Sequence, residues 1–179
     1  MLRLSIPASE LFDDATSTFE TTEAITIELE HSLVSVSKWE SKWEKPYLGK
    51  AQKTRAEVED YIRMMILSPE VPPNIVSRLS SDNIDEIIAY LQAKQTATWL
   101  ADEKQATTRE IITAELIYYW MVALSIPFEC ETWHLNRLLT LVQVTNRKNS
   151  PPKKRSRAEQ LAFNKAENER RQAEYNTTG

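Results

Sequence analysis

The chain has two glycines, Gly49 and Gly179, in 179 residues. A glycine loop that cradles phosphate needs several close backbone approaches, so that mode of nucleotide binding is excluded. The same scarcity favours helices over tight hairpins, whose turns draw on glycine. One cysteine, Cys130, excludes an intramolecular disulfide framework and suits a reducing cytosol. No basic region followed by an apolar run opens the chain, so no secretory signal is expected. The longest apolar run, Leu116 to Leu124, falls short of the ~18 residues that a membrane-spanning helix takes.

What is present fits a soluble helical protein. Hydrophobic residues make up 41% and charged residues 27%, enough of both for one core under a solvated surface. Charge is unevenly placed. Residues 147–179 hold nine Lys or Arg against four Asp or Glu, while the whole chain has a formal charge of -4. The body, residues 1–146, is therefore acidic, with a charge of about -9. The sequence divides into that body and a basic linker and tail, 147–179.

Hydrophobic spacing gives the elements. Leu2, Leu4 and Ile6 alternate with polar residues, as do Ile25, Ile27 and Leu29, and Pro7 ends the first run. Residues 2–30 are read as a small antiparallel β unit, with Phe19 in a loop or short strand. Two strands alone are marginal in water, so this unit leans on helices or on another chain. Residues 32–43 would tolerate a strand at Val34, Ser35 and Ser37, but Leu33, Val36, Trp39 and Trp43 fit a helical stripe, and a helix is the expectation. Thr54 and Glu57 make a capping box that opens a helix with Val58, Tyr61, Ile62 and Met65 inward. Pro69, Pro72 and Pro73 form a connector. Ser81 or Asn83 then caps a helix bearing Ile84, Ile87, Ile88 and Leu91.

Residues 92–106 read as a loop that carries Trp99 and Leu100. The stretch 107–144 reads as a helical hairpin turning at Pro127, opened by a Thr107–Glu110 capping box. Leu116 to Leu124 is apolar on every side, which predicts a helix enclosed by other elements, with Trp120 buried. The second helix carries Leu135, Leu138, Leu139 and Val142, with Leu138 buried. Residues 146–156 hold two prolines and five basic residues, a linker signature. Residues 157–175 are helix formers without a sustained apolar stripe, and are expected to be exposed, partly disordered or ordered by a partner. The fold class is mainly α: a helical domain around a central hairpin, with a small N-terminal β unit and an extended basic tail.

Catalytic chemistry is hard to assemble. Among Cys130, Glu131 and His134, Cys130 and His134 would lie one turn apart on a helix; a Cys–His pair can support nucleophilic catalysis, and the three side chains could supply metal ligands. Nothing nearby completes either site by spacing, and the one other histidine is His31. Asp13, Asp14 and Glu115 show no acid–base pairing. Lys153, Lys154, Arg155 and Arg157 form a basic patch without interleaved aromatics or a nucleic-acid-binding motif. No catalytic residue, cofactor or metal is expected. Trp39 and Trp43, one turn apart, are either core anchors or an aromatic binding face. Met64 and Met65 either fill the core or line an adaptable groove.

Three stretches carry a resemblance: LRLSIP at the N-terminus, LEHSLVSVSKWESKWEKPYL, and REIITAELIYYWMVALSIPFECETWHLNRLLTLVQV, followed by the basic PPKKRSR. Together they resemble tail assembly chaperones of long, non-contractile-tailed bacteriophages. The resemblance implies a non-enzymatic protein of the host cell cytoplasm. It would coat the helical tape-measure protein, keep it soluble and help load tail-tube subunits. Some members are made in two forms by ribosomal frameshifting. Trp39, Trp43, Met64, Met65 and the basic Lys153, Lys154, Arg155 and Arg157 are the partner-binding candidates, and acidic body against basic tail permits self-association. Other readings are a virion structural protein, such as a head–tail connector subunit, and a nucleic-acid-binding accessory protein.

Overall fold

A computed structural model describes residues 1–13, 18–98, 111–150 and 157–175. The protein is mainly helical, with six α-helices and a small antiparallel β region among the described residues. Residues Met1–Asn146 form one compact unit and Arg147–Gly179 another.

The N-terminal β unit has four short strands: β1 (Leu2–Ile6), β2 (Ser9–Asp13), β3 (Thr18–Thr22) and β4 (Ile25–Leu29). β1 pairs with β4 from Leu2↔Leu29 to Ile6↔Ile25, and β2 pairs with β3 from Ser9↔Thr22 to Asp13↔Thr18. Both ladders share one register, so they are two halves of one ribbon interrupted where Pro7 has no N–H to give. Arg78 bridges that interruption, its Nη2 donating to the carbonyls of Pro7 (3.2 Å) and Glu23 (2.7 Å). The alternation in β1 and β4 buries Leu4, Ile6, Ile27 and Leu29 and turns Arg3, Ser5 and Thr26 outward.

α1 (Leu33–Trp43) is the hub of the body. Ser32 and Ser35 make its capping box, and Glu44 closes it in the left-handed region at φ 51°. Its inner face presents Leu33, Val36 and Trp39, all buried. α2 (Arg55–Met65), α4 (Ala114–Ala123) and a 3-10 turn at Phe128–Thr132 pack against it. α2 starts at the Thr54–Glu57 box and buries Tyr61, Ile62 and Met65. The chain then extends along β4, with Glu30 N donating to Met65 O (2.9 Å) and Leu67 N to Glu28 O (2.8 Å). β4 thereby gains a backbone partner on its second edge, which relieves the isolation of a two-stranded ribbon.

α3 (Ser81–Gln92) packs on β1. Its cap is Ser80, in a capping box with Asn83, rather than Ser81 or Asn83 itself. It buries Ile87 and Tyr90, while Ile88, expected inside, is 45% exposed. Val58 of α2 likewise lies outward, because Tyr61, Ile62 and Met65 already fill the helix face turned to the core.

α4 is capped by Thr113 through Leu116 N, and the expected Thr107–Glu110 box lies outside the described residues. Ser125 at φ 54° ends the helix, with Ile126 N returning to Met121 O (2.8 Å). α5 (Leu135–Asn149) buries Leu135, Leu138 and Val142 and continues past Asn146. α6 (Arg157–Tyr175) belongs to the second unit.

Candidate interaction surface

Trp39 and Met65 are core residues, at 1% and 0% exposure, so neither offers a surface to a partner. Trp39 Nε1 donates to the Glu57 carbonyl (2.8 Å), and its ring meets Tyr47 edge-on at 5.2 Å, which fixes the indole between α1 and α2. Trp43 and Met64 are half-buried against the same core. The Lys42 and Lys45 ammonium groups lie 5.6 and 5.9 Å from the Trp43 ring centroid, a cation–π cover over the indole. Lys153, Lys154 and Arg155 lie outside the described residues, and Arg157 opens α6 with its side chain likewise undescribed.

Cys130, Glu131 and His134 each have a separate task. Cys130 is buried in the 3-10 turn. Glu131 accepts from Tyr118 OH (2.7 Å). His134 precedes α5, its Nε2 donating to the Tyr90 carbonyl (3.0 Å) and its Nδ1 accepting from Asn136 N (3.2 Å). Both imidazole nitrogens are engaged in a neutral tautomer, leaving none for a metal. Among the described residues no group of three or more His, Cys, Asp or Glu is placed to hold a metal ion.

The fold makes a polar cluster that sequence spacing does not show. His31 and His134 stack edge-to-face at 5.2 Å, both buried. His31 Nδ1 shares a hydrogen bond with Tyr61 OH, and Tyr90 OH donates to Glu30 Oε1 (2.5 Å). Burial, then the neighbouring His134, lowers the His31 pKa from 6.5 to about 4 against the smaller pull of Glu30. Burial also lowers that of His134. Both rings are therefore neutral hydrogen-bonding pieces that tie the β4–α1 junction to α2, α3 and α5.

A second buried carboxylate positions α4. Glu40 Oε1 accepts from Tyr47 N (2.6 Å) and Oε2 from Ala114 N (2.7 Å). The acidic group thus caps the positive end of α4 from the hub helix. Glu57 serves α2 similarly: Lys45 Nζ donates to it at 2.7 Å and Thr54 N at 2.6 Å. Those bonds, led by Lys45, hold its pKa down at about 2.

The feature most open to a partner is α4 itself. Its core stripe is Ala114, Ile117 and Met121, all fully buried. The opposite side is uncovered: Tyr119 is 64% exposed, Val122 63% and the nearby Phe128 54%. Tyr118 and Trp120 are half-buried at the flanks, with the Tyr118 and Phe128 rings 6.2 Å apart. Enclosure on all sides, with Trp120 buried, is therefore corrected. α1 covers one side of α4, and no described element covers the other. Ile111 and Ile112, just before the helix, are exposed as well. Residues 111–136 contain Glu115, Glu129 and Glu131 and no Lys or Arg, and Arg137 follows with its guanidinium 4.1 Å from the Trp133 ring centroid. Isolated exposed apolar side chains are ordinary, whereas large ones on one side of a helix make it the candidate contact surface. No protein-family model, no curated protein and no solved structure matches this chain.

Proposed function

We propose that the protein is a non-enzymatic tail assembly chaperone of a long, non-contractile-tailed phage that binds the tape-measure protein in the host cytoplasm and assists tail-tube assembly. The uncovered apolar face of α4, with Tyr119 and Val122 outermost, carries this reading. A tape-measure protein is a long helix with apolar faces, and such a helix is held by laying its apolar side against an exposed apolar surface on a helical scaffold. Burying one large apolar side chain is worth about 1.5–3 kcal/mol, so a few such contacts, repeated over many bound copies, would shield a long client. The resemblance of the chain's longest matching stretch, which contains all of α4, points to the same role.

The test is co-expression with the tape-measure protein. Wild-type chain should keep the client soluble and co-purify with it, and Tyr119→Ser with Val122→Ser should lose both effects while keeping the fold. Equal performance by that variant would refute the reading. A second reading, a virion structural subunit, is favoured by the β ribbon, whose outer half pairs in the same register as the inner half. Purified virions separate the two: a chaperone is absent from them and a structural subunit is present.

A further inference from the structure

We infer that the turn joining α1 to α2 is a basic docking surface that receives the acidic outer face of α3 from a second copy of the chain. Residues 38–55 hold six Lys or Arg against two Glu, of which Glu40 is buried and bonded to Tyr47 N and Ala114 N. The rest of the body, 1–37 and 56–146, holds seven Lys or Arg against twenty Asp or Glu. The turn is thus a basic island on an acidic body. Aromatic rings gather its cations. The Trp39 and Trp43 centroids are 6.4 Å apart, and the Lys53 ammonium lies 4.6 Å from the Tyr47 centroid and 5.7 Å from that of Trp39. Lys42 and Lys45, over Trp43, are already paired with Asp60 and Glu57. Lys38, Lys50 and Lys53 make no ion pair or hydrogen bond among the described residues, and Lys38 and Lys50 are exposed.

α3 offers the complement. Asp82, Asp85 and Glu86 share one helix face, are exposed, and make no ion pair or hydrogen bond among the described residues. Residues 79–93 contain no Lys or Arg. Like charges four apart on a helix repel, so Asp82 and Glu86 gain from cations that their own helix does not supply. Ile88, beside them at 45% exposure, can meet Leu48 of the basic turn, which is 38% exposed. Nucleic acid fits the turn less well, since Trp39 is buried and Tyr47 is stacked on Tyr61 at 3.9 Å, which leaves neither ring free for a base. Within one copy α3 packs on β1, so the two surfaces ride on different elements. A contact between unlike surfaces is heterologous and propagates into rings or filaments. Exposed ion pairs are individually weak, so free copies associate weakly, and copies held side by side gain from their effective concentration. The inference assigns no residue of α4 or of the tail, and no client enters its test, so its failure leaves client binding to be judged separately.

The test is static light scattering of full-length chains in low-salt buffer at rising concentration. The apparent mass of wild type should climb above that of the monomer despite its net negative charge, and high salt should abolish the climb. Lys38→Glu with Lys50→Glu should lose it. Asp85→Lys with Glu86→Lys should lose it too, although that pair brings the formal charge of -4 to zero and so lessens general repulsion. All four substitutions in one chain restore both the pairing and the formal charge, and should restore the climb. The four side chains are exposed, so circular dichroism should match wild type. If the reversals in α3 disturb the helix, Asp85→Asn with Glu86→Gln should show the same loss. A wild type that stays monomeric at every concentration would overturn the inference. Two-site variants that associate as wild type does would overturn it, and would place any attraction elsewhere, as in the basic tail. A folded four-site variant that stays monomeric would overturn it equally.

Discussion

Glu40→Ala should destabilise the body by about 3 kcal/mol, chiefly by untethering α4. The carboxylate is buried at 7% exposure and makes two bonds, to Tyr47 N at 2.6 Å and Ala114 N at 2.7 Å. A hydrogen bond to a charged group contributes ~1.5–3 kcal/mol, and an acidic group at a helix N-terminus ~0.3–1 kcal/mol more. Ala114 is fully buried, so its N–H loses its partner without ready access to water. Tyr47 is only half-buried, so loss of its bond is assigned the smaller share and the sum stays below the additive maximum. Glu40→Gln retains one oxygen and should cost less, ~1–2 kcal/mol. Urea unfolding followed by tryptophan fluorescence measures both, with unchanged slope and a lowered midpoint. An unchanged midpoint for Glu40→Ala would refute the role given to this carboxylate, as would a larger loss for Gln than for Ala.

Acid should weaken the fold in two stages. As pH falls from 6.5 to about 4, the unfolded chain takes up a proton that folded His31 refuses. Stability is therefore complete above that window and declines through it by ~3 kcal/mol, with His134 acting in the same direction. Glu57 follows lower down, its contribution present above pH 4.5 and lost towards pH 2. His31→Phe should flatten the upper stage in a urea titration across pH. Trp39→Ala should cost about 3–5 kcal/mol in the same unfolding assay, and Trp120→Ala distinctly less, since only Trp39 is wholly enclosed. Removal of residues 150–179 should leave the body's thermal midpoint nearly unchanged, because the last buried core side chain of α5 is Val142.

Local chemistry was readable from the residues. The Thr54–Glu57 box, the alternation of Leu2, Leu4 and Ile6, and the stripe Leu33–Val36–Trp39 each depend on neighbours within a few positions, and each stands in the structure. What required the fold was long-range. Apolar residues from Leu116 to Leu124 specify a greasy helix but not how many sides have neighbours, so Tyr119 and Val122 gave no sign of being outermost. His31 and His134 are far apart in sequence and meet where Leu135 N donates to the His31 carbonyl at 2.7 Å. Nothing in the spacing around Glu40 marks it as a cap, since the helix it caps begins at Ala114, far along the chain. Trp39 and Trp43 share a helix face, yet one fills the core and the other its margin.

The central claim is the proposal that α4 is the face for a helical client. Hydrogen exchange of the protein with and without a tape-measure protein tests this directly. The account predicts strong added protection over 111–128, with Tyr119 and Val122 shielded, and little change over α2. A bound client that leaves 111–128 unprotected would contradict it.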